Sequence, residues 1–253
     1  MAGALYVVST PIGNLDDITH RALRILKAVT IIAAEDTRHT KQLCNHFGIE
    51  TALTSYHDFN KEAKTAVLLE RLRSGVDVAL VSDAGTPVIS DPGYFLITQC
   101  IQAGINVVPI PGPSAILAAL AASGLPSDVF QFEGFLPRKA GARAKRIADL
   151  RLAHGSLIFF ESPHRIEKLL AALLEGLGNR RTVLARELTK KFEEFRRGTL
   201  EELLQSVRDR PPKGEITVVV EGTPRRPAAA DEDAEDDRGE EDTVAEKRTG
   251  GDL

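Results

Sequence analysis

The first half of the chain keeps switching between two hydrophobic periods, and this switching restricts its fold more than any other feature. Short apolar runs at 4–9, 30–34, 52–56, 76–82 and 105–110 read as strands. Between them, apolar residues recur at helical spacing, first as Ile18, Ala22, Ile25, Leu26 and Val29. Further helices are expected over 37–47 with a stop at Gly48, over 62–74 before Gly75, and over 92–103. The alanine-rich "PGPSAILAALAASG" then turns into a helix that Gly124 ends. Strands alternating with helices require βαβ crossovers and a mostly parallel sheet. Continuous apolar runs such as "VDVALVS" belong to strands buried on both faces.

After Gly124 the rhythm changes. Strands are expected at 128–135, 155–162, 181–188, 192–199 and 215–222, with helices at 138–152, 163–175 and 200–208. Strands outnumber helices here, which predicts a mixed sheet. The fold class is therefore α/β, with two α/β domains, an N-terminal one over 1–120 and a C-terminal one over 121–222. Residues 223–253 carry eleven acidic and five basic side chains and no large apolar cluster, so a disordered acidic tail is expected. That tail holds a net −6 of the chain's −4, which leaves the body at +2 and open to an anionic partner. "GLGN" at Gly176 follows a helix and reads as its stop.

At 253 residues with 43% apolar content, the chain is long enough for two small domains with real cores. Two cysteines, Cys44 and Cys100, make neither a disulfide framework nor a zinc site. The histidines show no metal-ligand spacing, so no metal is expected. The N-terminus lacks a basic signal-peptide region, and no apolar run reaches the ~18 residues needed to span a bilayer. These features point to a soluble, cytoplasmic protein with no membrane partner.

Three loops rich in small residues sit at strand ends: "STPIGN" (9–14), "SDAGTPVISDPG" (82–93) and "PIPGPSA" (109–115). Ligands of open α/β sheets bind beyond the carboxyl ends of strands. Glycine lets backbone approach a ligand, and proline holds a loop still at low entropic cost. Ordinary turn chemistry explains one such loop; three at corresponding positions point to a pocket. There is no GxxxxGK[ST], and no GxGxxG after the first strand, so the pocket is not a standard phosphate cradle. Rigid loops offering carbonyls and carboxylates suit a neutral or cationic ligand.

"AEDTRHT" ends the second strand at the same edge and sets Glu35, Asp36 and Arg38 together. A carboxylate beside an arginine stays ionised and can orient or deprotonate a hydroxyl. Equally, Asp36 or Thr37 can simply cap the following helix. "FLPRKAGARAKR" gathers Arg138, Lys139, Arg143, Lys145 and Arg146, which either grip nucleic-acid phosphates or form a solvated helix face. "ESPHR" places Pro163 where a helix should begin, at its first position, and His164 alone.

Taken together, "YVVSTPIGNLDDITHRAL", "EDTRHTKQL", "VALVSDAGTPVISDPG", "PIPGPSAILAALAASG", "FQFEGFLPRK" and "ESPHR" resemble the tetrapyrrole-methylase-like (class III) S-adenosylmethionine methyltransferases. The resemblance runs in order over residues 4–222, and within the family it is similar to the bacterial branch that methylates a cytidine ribose 2′-hydroxyl in the decoding region of 16S rRNA. It implies two α/β domains, a homodimer, and S-adenosylmethionine held in a cleft between the domains. Carried over by motif, Pro11, Asp83, Gly85, Thr86, Ile89, Ser114 and Ala115 belong to the cofactor loops. Phe160 and the strand leading to Glu221 are expected to line the cleft from the second domain. Glu35 or Asp36 would accept or orient the hydroxyl proton, with Arg38 orienting the carboxylate or a phosphate. The partner implied is 16S rRNA or the small ribosomal subunit. Two other readings stay open: a methyltransferase of this fold acting on a tetrapyrrole or protein, and a non-enzymatic RNA-binding assembly protein.

Overall fold

Residues 2–223 are described by a computed structural model; the expected acidic tail lies outside them, apart from its first residue, Thr223. The first sheet has five parallel strands: β1 (Leu5–Val8), β2 (Ile31–Ala34), β3 (Ala52–Ser55), β4 (Val78–Val81) and β5 (Val107–Ile110). Their spatial order is β3-β2-β4-β1-β5. The central strands β2 and β4 are buried at every residue, as continuous apolar runs require. Helices α1 (His20–Ala28) and α2 (Thr37–Phe47) share a core layer on one face, through Ala22, Leu26 and Cys44. Helices α3 (Lys61–Arg73) and α4 (Tyr94–Gln102) cover the other face, through Leu68, Leu72, Leu96 and Cys100.

Local chemistry sets these elements. Thr19 caps α1 by accepting from the Ala22 amide, and Asp36 caps α2 by accepting from the Arg38 amide. Gly48 ends α2 in the left-handed conformation, with φ of 59°. Because β2, β4, β1 and β5 are adjacent, the loops that follow all four strands emerge along one edge of the sheet.

The second sheet is mixed, in the order β6-β7-β10-β8-β9. Its strands are β6 (Phe130–Gly134), β7 (Ser156–Glu161), β8 (Arg181–Arg186), β9 (Glu194–Thr199) and β10 (Ile216–Val220). Only β6 and β7 pair in parallel. One face is covered by α6 (Ala140–Asp149), α7 (Ile166–Leu177) and α8 (Leu200–Asp209). On the other face lies α5 (Ala115–Ser123), whose Ile116, Ala119 and Leu120 pack against Ile158, Val183 and Val219. A boundary at residue 120 would thus fall inside a helix that serves the second sheet. No helix among the described residues is long and apolar enough to cross a membrane.

Two local expectations are corrected. Helix α7 begins at Ile166, so Pro163 is not its first residue; the Ser162 carbonyl accepts from both Arg165 and Ile166, and this turn holds Pro163 outside the helix. Gly176 lies within α7, where its hydrogen faces Ile147, and the stop is Gly178, with φ of 80°.

Gly93 shows how tightly the loop after β4 is folded back. Its φ is 137°, and an added Cβ would sit 2.8 Å from Leu80 Cδ2 and 3.0 Å from Val88 Cγ2. Gly93→Ala is expected to cost about 1–3 kcal/mol in urea unfolding, through backbone strain and overpacking together.

Candidate functional site

The loops at the carboxyl edge are laced to one another. Thr10 and Gly85 exchange backbone hydrogen bonds at 2.9 and 3.0 Å, which joins the loops after β1 and β4. The Ser9 hydroxyl lies 3.0 Å from that of Thr86, and Thr86 donates to the Pro113 carbonyl at 3.5 Å, which brings in the loop after β5. Ser114 caps α5 by accepting from the Leu117 amide. Gly85, Thr86 and Ser114 therefore build the frame rather than a wall.

That frame borders a cavity of about 500 Å³ between the two sheets, within the ~300–1,000 Å³ usual for small-molecule sites. The first half contributes Ile12, Glu35, Asp83, Ile89, Asp91 and Ala115. From the second half come Phe135, Phe160, Glu161, Leu188 and the segment 214–217. Phe160 is held edge-on against Phe132, with ring centroids 4.8 Å apart. The start of β10 reaches the cavity, but Glu221 does not. Strand β10 runs antiparallel to β7 with Ile216 opposite Glu161, so Glu221 lies at the far end, paired with Arg181 at 2.6 Å.

Backbone strain marks both sides of the cavity. Ile89 is flanked by Val88 and Ser90, with φ of 79° and 68°; Leu188 is flanked by Glu187 and Thr189, with φ of 50° and 66°. Non-glycine residues in this region cost of order 1–3 kcal/mol each and persist where surrounding structure fixes them. The second loop is pinned by Lys190, whose ammonium holds Glu187 at 3.0 Å and Glu215 at 2.8 Å. Its stem lies where a side chain on Gly13 would be, 2.4 Å from that position.

Five carboxylates line this cavity, and no lysine or arginine among the described residues does. Glu161 is paired with Arg165 at 3.2 Å, and Glu215 with Lys190. Glu35, Asp83 and Asp91 have no ion pair among the described residues. Burial pushes the Glu35 carboxyl above its ordinary range, helped by the charges of Asp91 and Asp83. Burial also raises Asp91, against a lowering hydrogen bond from Ser82. Such a wall favours a cation.

The adjacent carboxylates of "EDTR" are separated. Glu35 faces the cavity, with Oε2 3.5 Å from the Asp83 amide. Asp36 turns away to cap α2 and grips Arg38 through contacts of 3.1 and 2.6 Å. Hydrogen bonds from Arg38 hold the Asp36 carboxyl well below the usual range. The Asp36 amide donates to Asp83 Oδ1 at 3.0 Å and so fixes the neighbouring carboxylate. A second, smaller cavity of about 260 Å³ lies beyond Asp83 and is bordered by Pro11.

The basic segment does not lie on the cavity wall. Arg146 is bonded to Glu133 at 2.7 and 3.0 Å, and Arg143 donates to the Arg138 carbonyl at 3.3 Å. Lys139 and Lys145 are exposed.

Residues 4–204 match the family of Tetrapyrrole (Corrin/Porphyrin) Methylases. The chain belongs to that family. Among the relatives of this methylase, a "Ribosomal RNA small subunit methyltransferase I" of Vibrio cholerae is 54% identical over 224 residues, covering 87% of this chain and 78% of that protein. A diphthine synthase shares the fold at a TM-score of 0.69 and 18% identity, over 88% of this methylase and 92% of that chain. So does a uroporphyrin-III C-methyltransferase from Thermus thermophilus complexed with S-adenyl homocysteine, at a TM-score of 0.58 and 19% identity, over 86% and 97% of the two chains.

Sequence reasoning missed Asp91, Glu161, Leu188 and Gly214 as cavity walls, whereas Glu215, Ile216 and Thr217 belong to the strand expected to line the cleft. Asp91 and Glu161 stand inside the quoted motifs; for Asp91 the available signal was a second carboxylate in the loop that holds Asp83. Leu188 is brought in by the pairing of β8 with β10, which no local pattern reveals.

A carboxylate whose folded pKa is raised binds its proton more tightly in the fold than in the unfolded chain. Stability of the protein without ligand should therefore fall as pH rises from the ordinary carboxylate range through the raised values of Glu35 and Asp91. Asp91→Asn should flatten this fall, raise Tm by about 1–3 °C at neutral pH, and weaken binding of a cationic ligand several-fold. Calorimetric melts across pH, with and without ligand, check both parts.

Proposed function

We propose that this protein transfers a methyl group from S-adenosylmethionine to the ribose 2′-hydroxyl of a cytidine in the RNA of the small ribosomal subunit. The observation that carries the cofactor reading is the cavity wall of five carboxylates, three of them without an ion pair, and no lysine or arginine among the described residues. A sulfonium and an ammonium suit that wall, and a pyrophosphate does not. Phe160, Ile89 and Leu188 offer apolar surface for an adenine, and Ala115 leaves room for close approach. The relatives named as ribosomal RNA methyltransferases, about half identical over most of the chain, support RNA as the acceptor.

When bound, S-adenosylmethionine supplies a methyl on a cationic sulfur that is already a good leaving group. Asp83 and Asp91 neutralise the positive charge and orient it. Glu35 accepts the hydroxyl proton as the ribose oxygen takes the methyl. Asp36 and Arg38 fix the start of α2 and, through the Asp36 amide, the position of Asp83. Holding two reactants aligned contributes about 7–11 kcal/mol, so the laced loops carry much of the rate enhancement. Lys139 and Lys145 remain exposed for phosphates, whereas Arg146 must first leave Glu133.

Titration calorimetry tests the cofactor reading. Asp83→Ala should weaken S-adenosylmethionine binding by tenfold or more, and an unchanged heat would remove Asp83 from the site. The family resemblance supports a homodimer, which light scattering should show as twice the chain mass.

A further inference from the structure

An acid-walled cavity repels the polyanion that the proposed function brings to it, so RNA must be gripped elsewhere. The basic segment at 138–146 is partly committed, since Arg146 is bonded to Glu133 and Arg143 turns towards the Arg138 carbonyl. Helices α1 and α2 are different. Their sequences, HRALRILKA and TRHTKQLCNHF, contain no acidic residue. Arg21, Arg24, Lys27 and Lys41 are exposed and have no ion pair among the described residues. Both helices pack on the same face of the first sheet.

The second cavity opens between the turn leading into α1 and the first turns of α2. At about 260 Å³ it is smaller than a site for a whole drug-sized ligand, and suits one ring. Pro11, Leu15 and Leu43 give it apolar walls, while His39 and Gln42, three residues apart on α2, supply a second ring and a side-chain amide. It meets the main cavity at Asp83, which borders both.

We infer that this second cavity holds the pyrimidine base of the acceptor nucleotide, while the cationic face of α1 and α2 binds the flanking phosphates. This rests on the proposed function. A base seated there leaves its ribose at Asp83, beside Glu35 and the main cavity. The Gln42 amide both donates and accepts, which matches the acceptor N3 and donor N4 amino group on the pairing edge of cytosine. Uridine presents a donor at N3 and an acceptor at O4, so discrimination requires that the site hold the amide in this one orientation. Stacking on His39 is indifferent to base identity.

The test uses the full chain with undermethylated small subunits whose labelled position carries cytidine or uridine. Gln42→Ala should bind S-adenosylmethionine with unchanged affinity and lose roughly tenfold of the preference for cytidine over uridine. The double reversal Arg24→Glu/Lys41→Glu should raise KM for the subunit at least tenfold and leave kcat within about twofold. It should also reduce the slope of log affinity against log salt by about two, one for each lost phosphate contact. Unchanged base preference in the first variant, or unchanged KM and salt slope in the second, overturns the inference while labelling by the wild type upholds the proposed function. A wild-type chain that binds S-adenosylmethionine and labels no RNA removes both.

Discussion

Glu35→Gln lowers the single-turnover rate of methyl transfer by about 10²–10⁴-fold, the usual contribution of a positioned general base. The glutamine oxygen still accepts from the Asp83 amide, so the local fold should persist. Asp83 and Asp91 keep two of the three unpaired carboxylates in place, so cofactor affinity should change only a few-fold. The pH profile supplies the sharper signature. Burial and two neighbouring carboxylates raise Glu35, so its proton leaves above the ordinary carboxylate range. The acid limb of kcat/KM, which reports the free enzyme, should have its midpoint there and should vanish in the variant. For kcat the limb should lie lower, because a bound cation favours the ionised form. Asp36→Asn, which keeps a helix-capping side chain, should stay within a few-fold of the wild-type rate. A Glu35→Gln enzyme with full rate, or a larger loss from Asp36→Asn, reverses the two roles.

Arg165→Met is expected to cost about 3–5 kcal/mol of stability, because it strands a buried charge. The Glu161 side chain is 1% exposed and has Arg165 3.2 Å away as its counter-ion. Arg165 also donates to the Leu136 carbonyl at 2.8 Å, so it ties the segment after β6 to the end of β7, where both border the cavity. Tm should fall by about 10 °C, given 2–4 °C per kcal/mol in a chain of this size. The double variant Glu161→Gln/Arg165→Met should recover most of that loss, since no uncompensated charge remains. Thermal melts decide it: equal destabilisation in the single and double variants would mean that packing, rather than charge, sets the cost.

The sequence displayed the first half of this molecule well. Thr37–Phe47 stands as expected between its Asp36 cap and Gly48, because capping and left-handed termination are local chemistry. The loops after β1, β4 and β5 were identifiable as neighbours because parallel sheets bring carboxyl ends together. What stayed hidden depends on chain segments distant in sequence. Leu188 borders the same cavity as Asp83 because β8, which leads to it, is paired with β10 in the second sheet. The divergence of Glu35 and Asp36 was equally invisible. Adjacent residues leaving a strand point to opposite sides, and only the cap geometry shows which one faces the cavity. Pro163 misled for a related reason: its preference for a helix start is real, but the turn closed on the Ser162 carbonyl by Arg165 and Ile166 holds it outside the helix.

The central claim is that a ribose oxygen, beside an acid-walled cofactor cavity, receives the methyl. Undermethylated small subunits incubated with the full chain and isotopically labelled S-adenosylmethionine, then digested and mapped by mass spectrometry, test it directly. The account predicts one labelled 2′-O-methylcytidine in the 16S rRNA and its loss with Glu35→Gln. Label on a base carbon or nitrogen, or none on the RNA while a tetrapyrrole or protein becomes labelled, would contradict it.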